Sequence, residues 1–195
     1  MKKLMLIALL ITSAGLSASY AQSSNSSRHA ERKAQRDAER AQMKAQEAAE
    51  NAVSYEDAVQ ALNNRKFVLE ADQVIFRNGQ SAFVTSNTNF VWVNEEKGTI
   101  QVAFNTAYPG PNGIGGITVD GSVSDFKATT DKRGNINCQF SIQGIGISAQ
   151  VFLSLTNGGN KASVDINPNF NGNTMTLSGK LLPLNQSSIY KGRAW

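Results

Sequence analysis

Two carboxylates with the spacing for acid–base chemistry lie early in the chain. Glu70 and Asp72 are two residues apart in a stretch with strand-like alternation, so their side chains would share one face. Paired carboxylates hydrolyse glycosidic bonds when one donates a proton and the other acts as nucleophile or base. Because Leu69 and Ala71 occupy the alternate, apolar positions, the carboxylates belong to the polar outer face. We therefore expect two solvated side chains here and no catalytic residues.

Nucleophilic and metal chemistry would need histidine or cysteine, and the chain has one of each, His29 and Cys138. A Cys–His or Ser–His–Asp arrangement needs an imidazole beside the nucleophile, and zinc needs several such ligands. Cys138 alternates with apolar residues, which predicts a small buried side chain. Asp131, Asn135 and Asn137 lack the glycine and the final glutamate of a recognised calcium loop. The sequence therefore predicts no metal and no cofactor.

A glycine-rich segment from Pro109 to Gly121 is the most distinctive local motif. Its backbone amides could hold an anion. It is not a dinucleotide fingerprint, because it leads into a strand and not into a helix. The alternative interpretation is a wide loop followed by a strand. The candidate ligand-binding residues are Asn112, Gly113, Gly115, Gly116, Phe90 and Trp92.

The elements that must position these residues follow a leader. Lys2 and Lys3 precede an apolar run that ends before Ser19-Tyr20-Ala21, the pattern of a secretory signal peptide over residues 1–21. With no cysteine near the cleavage point after Ala21, no lipid anchor is expected there. We expect a mature chain that is periplasmic or otherwise exported, without a transmembrane segment.

Residues 22–53 combine a Ser/Asn-rich linker with a charged helix. From Arg28 to Ala52 there is no Gly or Pro, and Ala, Glu, Gln, Lys and Arg dominate. Small residues at heptad spacing over residues 34–52 could allow self-association; the alternative is a solvated helix held by local charge pairs. Ser54 and Asp57 have the spacing of a capping box, which predicts a second, short helix that packs on the following domain.

The charge balance excludes one class of partner. The chain carries 19 basic and 15 acidic residues, and loss of Lys2 and Lys3 with the leader brings the mature chain to about +2. Nucleic-acid binding needs a one-signed basic face that neutralises phosphates. No segment provides such a face, so no nucleic acid is expected as a partner.

From Phe67 onward the apolar residues follow a period of two. Ile136, Cys138, Phe140 and Ile142 alternate with polar residues, and Asn/Gly turn signals separate such segments. About eight strands joined by short hairpins predict an antiparallel meander from Phe67 onward. Together with the short helix that precedes it, this meander is expected to form one domain over residues 54–195. This favours a mainly β, eight-strand antiparallel barrel; a β-sandwich is the alternative.

A small barrel is either filled by side chains or holds one small ligand. Small residues at inward positions leave both outcomes open. If the barrel binds a ligand, we expect a cavity that is lined by residues such as Phe90, Trp92, Phe104 and Phe140.

Five segments of the chain carry a family resemblance: residues 67–73, 88–91, 111–121, 145–155 and 178–192. Together they resemble domain-of-unknown-function family 4251, found in exported proteins of Bacteroidetes. The resemblance covers about residues 50–192, and the Asn-Gly-x-Gly-Gly-x-Thr stretch is its most specific part. It implies a periplasmic or envelope location and a lipocalin-like barrel. It implies no activity, because the family has no established catalytic or binding residues.

Three functions are consistent with these observations. The leading one is a non-enzymatic binding module for a small, partly apolar ligand. The second is an envelope structural or interaction protein that docks or oligomerises through its N-terminal helix. The third is a carboxylate-based hydrolase. The expected partner is an unknown small molecule or an envelope protein.

Overall fold

The computed structural model describes residues 24–104, 109–145, 147–169 and 174–194. The leader predicted at residues 1–21 lies outside these residues. The chain divides into two compact units, residues 1–43 and 44–195. The β-strands and the last turns of the helix that precedes them all belong to the second unit.

A single helix, α1 (Ser24–Asn63), takes the place of the two helices that the sequence predicted. The capping box at Ser54 does not form. Its hydroxyl instead donates to the carbonyl oxygen of Glu50, one turn earlier, at 2.8 Å. This bond keeps a serine within a continuing helix. The prediction of a second helix is therefore wrong, and α1 ends only before Arg65, which adopts a φ of +54°.

The side chains of α1 change character along its length. Those from Ala30 to Val53 are exposed. Ala58, Ala61 and Leu62 in the last two turns are buried, because this part of the helix packs on the strands. The segment 54–63 thus occupies the place that was predicted for a short helix.

The described residues form nine strands and a short 3-10 turn. They are β1 (Lys66–Phe76), β2 (Ser81–Phe83), β3 (Phe90–Asn94), β4 (Lys97–Ala103), β5 (Gly116–Thr130), β6 (Ile136–Gly144), β7 (Ser148–Leu155), β8 (Lys161–Pro168), β9 (Met175–Pro183) and the turn Leu184–Gln186. All the pairings are antiparallel. Most neighbours in the sheet are also neighbours in the chain, as in a meander.

The sheet closes on itself. β1 pairs with β3 on one side, and β9 returns to pair with its other side, from Phe67 opposite Pro183 to Phe76 opposite Met175. β2 is an extra strand that pairs with the second half of β1. A closed barrel of eight antiparallel strands with one additional strand confirms the predicted fold class. The β-sandwich alternative does not apply, because the β1–β9 pairing removes the two open edges.

The barrel interior near α1 is densely packed, and we call this region the packed half. The ring of Phe140 lies 5.5 Å from that of Phe126 and 6.1 Å from that of Phe67, centroid to centroid. Leu62 of α1 is fully buried in the same cluster. The Tyr55 hydroxyl donates to the carbonyl oxygen of Gly134, in the turn between β5 and β6. The end of α1 therefore closes this end of the barrel.

Candidate functional site

A cavity of about 860 Å³ lies at the opposite end of the barrel interior, which we call the cavity half. Its walls come from β1, β4, β5, β7, β8 and β9 and from the turn after β1. The apolar wall includes Phe76, Ile100, Val102, Phe104, Ile117 and Ile166. These are the strand ends farthest from α1.

The cavity exists because the interior positions here carry short or aliphatic side chains. Ala149 and Gly116 face the cavity, and Ile100 and Val102 lie opposite Val119 and Ile117 in the β4–β5 register. Ile117 alternates with the buried Thr118 and faces the interior, yet it is 44% exposed. Solvent therefore reaches inward-facing side chains in this half.

The polar residues of the lining lie together. They are Arg77, Asn78, Gln80 and Thr174. Within the hairpin that joins β1 to β2, the amide nitrogen of Asn78 donates to Oε1 of Gln80, and the Gln80 backbone N–H donates to Oδ1 of Asn78, both at 3.0 Å. Among the described lining residues, Arg77 is the only ionisable one. The cavity thus has an apolar wall and one polar side.

The backbone amides of the glycine-rich loop donate hydrogen bonds within the loop itself. The side-chain oxygen of Asn112 accepts from the backbone N–H of Ile114 at 3.1 Å and of Gly116 at 2.9 Å. The N–H groups of Gly113 and Gly115 donate to carbonyl oxygens of the same loop. The amides that were considered for an anion are therefore already hydrogen-bonded. Of the four loop residues that were candidates for binding, only Gly116 lines the cavity.

Gly116 is required where it stands. A Cβ at this position would lie 1.8 Å from the carbonyl oxygen of Val102 on β4. Only glycine permits this close approach of the two strands. Gly116 therefore has a structural role between β4 and β5, and this role accounts for its presence in the cavity wall.

The aromatic residues expected in the cavity are distributed differently. Val91 and Val93 of β3 belong to the interior core, so Phe90 and Trp92 face outward, and the expectation that they line the cavity is wrong. Phe140 belongs to the packed half. Of the four predicted lining aromatics, only Phe104 lines the cavity.

Comparisons with known proteins assign this fold to a family. The family model described as DUF4251, a domain of unknown function, matches residues 49–181. The chain belongs to the DUF4251 family. A crystal structure of a DUF4251 family protein from Bacteroides eggerthii DSM 20697 is 76% identical in sequence and aligns with a TM-score of 0.65. That alignment covers 76% of this chain and 99% of the other.

The family resemblance read from the sequence is thus confirmed. The search of curated proteins finds no match to this chain. The role of the DUF4251 domain has therefore to be argued from its own geometry.

On its outer surface the DUF4251 domain has a buried polar cluster centred on Gln101. The amide nitrogen of Gln101 donates to the carbonyl oxygens of Thr88 at 3.0 Å and Tyr190 at 2.8 Å. Its amide oxygen accepts from the Thr118 hydroxyl and from the Gly192 N–H, both at 2.8 Å. All four bonds of this amide are made within the protein, so the cluster fixes the C-terminal segment and is not a binding site.

The Glu70 carboxylate belongs to the same covered face. It is 9% exposed and accepts from the Ser187 hydroxyl at 2.9 Å and the Ser188 N–H at 2.8 Å. The expectation that Glu70 is solvated is wrong, because the C-terminal segment covers this part of β1. Asp72 is exposed as expected. A β-bulge at Asp72 interrupts the β1–β9 register between Ala71 and Gln73.

Two carboxyl groups have a shifted pKa, and in both the pKa is lowered. The Asn135 side chain and backbone amides of the turn hydrogen-bond to Asp131 and lower its pKa. Lys66, 2.8 Å from Glu95, lowers the pKa of that carboxyl. A general acid in a hydrolase needs a raised pKa, which neither group has.

Two candidates remain, Cys138 as a nucleophile and Asp131 as a metal ligand, and both have structural roles. Burial raises the pKa of the Cys138 thiol to about 11, which suits the predicted small core residue. The carboxylate of Asp131 is occupied by hydrogen bonds of its own turn. Among the described residues, no three His, Cys, Asp or Glu side chains cluster in a way that could hold a metal ion.

No helix in the described part of the chain is both long and apolar enough to span a membrane.

Proposed function

We propose that this DUF4251 domain is a non-enzymatic binding module that holds a small, largely apolar molecule in the cavity half of its barrel. The observation that carries the proposal is the cavity itself, about 860 Å³ in volume with a mainly apolar wall. Ligand sites in proteins typically occupy about 300–1,000 Å³ and combine apolar walls with a few polar groups. Both features are present here.

The packed half strengthens this interpretation. There the same barrel interior is filled by Phe67, Phe126 and Phe140, and Leu62 of α1 is buried in the same core. Close packing is the ordinary state of a protein interior. The cavity is therefore a specific property of its end of the barrel, which suits a bound molecule.

Transfer of an apolar ligand into this cavity would supply the binding free energy. Burial of apolar surface is favourable by ~25 cal/mol per Å². The inward-facing Ile117, 44% exposed, and the half-buried Phe76 and Phe104 would lose contact with water when a ligand covers them. The hydrophobic effect would thus act on both the wall and the ligand.

The proposal includes a location outside the cytoplasm. Its support is the leader pattern of residues 1–21, with its basic start, apolar run and small residues before the cut. Cell fractionation and N-terminal sequencing test it. A mature protein that begins at Gln22 in the periplasmic or secreted fraction is expected; a cytoplasmic protein that retains Met1 would contradict this part of the proposal.

The binding function is tested with a cavity-filling variant and a matched control on the same strand. Ala149 lines the cavity, whereas Gln150 next to it is exposed on the outer face. We expect the neutral fluorescent probe N-phenyl-1-naphthylamine to bind the wild-type protein and Gln150→Phe alike, and Ala149→Phe at least tenfold more weakly. Native mass spectrometry of protein purified from its own host should show a released mass of a few hundred daltons on denaturation. Absence of both probe binding and extra mass would refute the function.

One observation favours a second candidate function, docking or self-association through α1. Side chains from Ala30 to Val53 are exposed, including Met43 at 62% and Val53 at 59%. A helix of this length with no core of its own could serve as an interaction surface. Light scattering of the mature chain, with and without residues 22–53, tests self-association. A monomer in both cases would count against that form of the candidate.

A further inference from the structure

The cavity has a polar side whose position in the sheet is well defined. Arg77, Asn78 and Gln80 belong to the hairpin after β1, and Thr174 directly precedes Met175, which lies opposite Phe76 in the β1–β9 register. These polar residues are therefore neighbours at one edge of the cavity. The lining from β4, β5, β7 and β8 is apolar.

The polar side carries a positive charge. Arg77 is the only ionisable residue among the described lining residues. A guanidinium has five N–H donors and stays protonated, so it can hold a ligand group in addition to partners within the protein. Gln80 uses its amide oxygen to accept from Asn78, and its amide nitrogen is the group of that side chain that can donate to a ligand.

We propose that the ligand of this cavity is an amphiphile with one aliphatic chain and one carboxylate, bound with the carboxylate at Arg77 and the chain against Ile100, Val102 and Ile166. The inference rests on the proposed binding function and specifies its ligand class. A planar guanidinium matches a carboxylate geometrically and forms charge-assisted hydrogen bonds with it. The apolar wall would hold the aliphatic chain of the ligand, and Arg77 at the polar edge would hold its carboxylate.

The proposed ligand class is tested by comparing the affinity of a carboxylate amphiphile with that of its neutral counterpart. Dodecanoate and dodecan-1-ol have the same chain length and differ at the head group. Each would displace N-phenyl-1-naphthylamine from the wild-type protein at pH 7.4. We expect dodecanoate to bind about tenfold or more tightly than dodecan-1-ol, because only the carboxylate forms charge-assisted bonds.

Three variants test whether this preference depends on Arg77. Arg77→Gln should remove most of the preference, so that the ratio of dodecanoate affinity to dodecan-1-ol affinity falls to near one. Arg133→Gln removes the same charge from an exposed turn at the opposite end of the barrel and should retain the full preference. Arg77→Lys should restore part of it, since the charge returns without the planar fork.

The outcomes separate the inference from the function on which it rests. If the probe does not bind and native mass spectrometry shows no extra mass, the binding function fails. If the probe binds but neither dodecanoate nor dodecan-1-ol displaces it, the carboxylate inference is overturned. If both displace it equally in the wild type, the function stands and the carboxylate inference is overturned. If Arg77→Gln keeps the preference, the assignment of the head group to Arg77 is overturned. Circular dichroism of each variant establishes that it is folded.

Discussion

The two halves of the barrel interior are built from the same strands and reach opposite outcomes. In the packed half Phe67 and Phe140 are fully buried and their rings are in contact. In the cavity half Phe76 and Phe104 are only half-buried, although their rings lie 5.7 Å apart. Period-two alternation places side chains inside in both halves. Alternation therefore decides which face is inside but not whether that inside is filled.

The two halves differ in the side chains that reach the barrel axis. The last turns of α1 contribute Ala58 and Leu62 to the packed half, and three aromatic rings meet there. Positions at the other end include Ala149 and Gly116, which extend little or not at all. One half can thus supply stability, and the other half is where the proposed ligand would bind.

The largest effect is expected for Phe140→Ala in the packed half. Phe140 is fully buried between Phe126 and Phe67, so its removal leaves a cavity that its neighbours cannot fill. We expect the free energy of unfolding to fall by ~3–5 kcal/mol in urea denaturation. Phe152→Ala is the control, since Phe152 faces outward and is 37% exposed. Equal losses for both would show that the packed half is not specially packed.

A second effect in the packed half depends on pH. Burial raises the pKa of the Cys138 thiol from 9.0 to about 11, so the unfolded chain loses this proton before the folded protein does. The stabilisation is complete below pH 9 and is lost as the pH rises towards 11, with a total of roughly 2–3 kcal/mol. The free energy of unfolding of wild type and Cys138→Ala should be measured at pH 8 and pH 10.5. Parallel pH dependence in the two proteins would contradict the prediction.

Enlarging a small interior residue should have different consequences in the two halves. Ala162 lies between Leu155 and Gly179 in the register of the packed half, whereas Ala149 faces the cavity. Ala162→Leu should lower the free energy of unfolding by ~1–3 kcal/mol through overpacking. Ala149→Leu should change it by less than about 1 kcal/mol, because the added atoms extend into the cavity. Thermal unfolding measures both; comparable destabilisation would remove the distinction between the halves.

A small effect on stability is also expected for Phe104→Ala in the cavity half. Phe104 lines the cavity and is half-buried, so fewer contacts are lost than at Phe140. We expect the free energy of unfolding to change by about 1 kcal/mol, with a clear loss of N-phenyl-1-naphthylamine affinity. A loss of stability as large as that of Phe140→Ala, with unchanged probe affinity, would mean that Phe104 serves the core and not the cavity.

Several features were predictable because their signals are local. Alternation within β6 and β7 identified strands, and Asn157-Gly158 identified a turn in which Gly158 adopts a φ of +91°. The long Arg28–Ala52 segment without Gly or Pro identified a helix. The family was identified from short segments distributed along the domain, and residues 49–181 match it.

The errors have physical causes that can be named. In β3 the residues Phe90, Val91, Trp92 and Val93 are all apolar, so alternation cannot say which pair faces inward. Ser54 is compatible with a capping box or with a bond to the preceding turn, and only the packing of the next turns on the barrel favours the second. These choices depend on tertiary contacts.

Periodicity, turn chemistry and helix propensity act over a few residues, so the sequence was sufficient to predict the helical segment, the strands and their antiparallel meander, and its short motifs identified the family. Tertiary contacts were needed to establish that Gln101 and Glu70 hold the C-terminal segment, that β9 closes on β1, and that one half of the barrel is packed while the other contains a cavity. Those outcomes depend on residues far apart in the chain, and on whether the side chains that meet at the barrel axis are long enough to fill it.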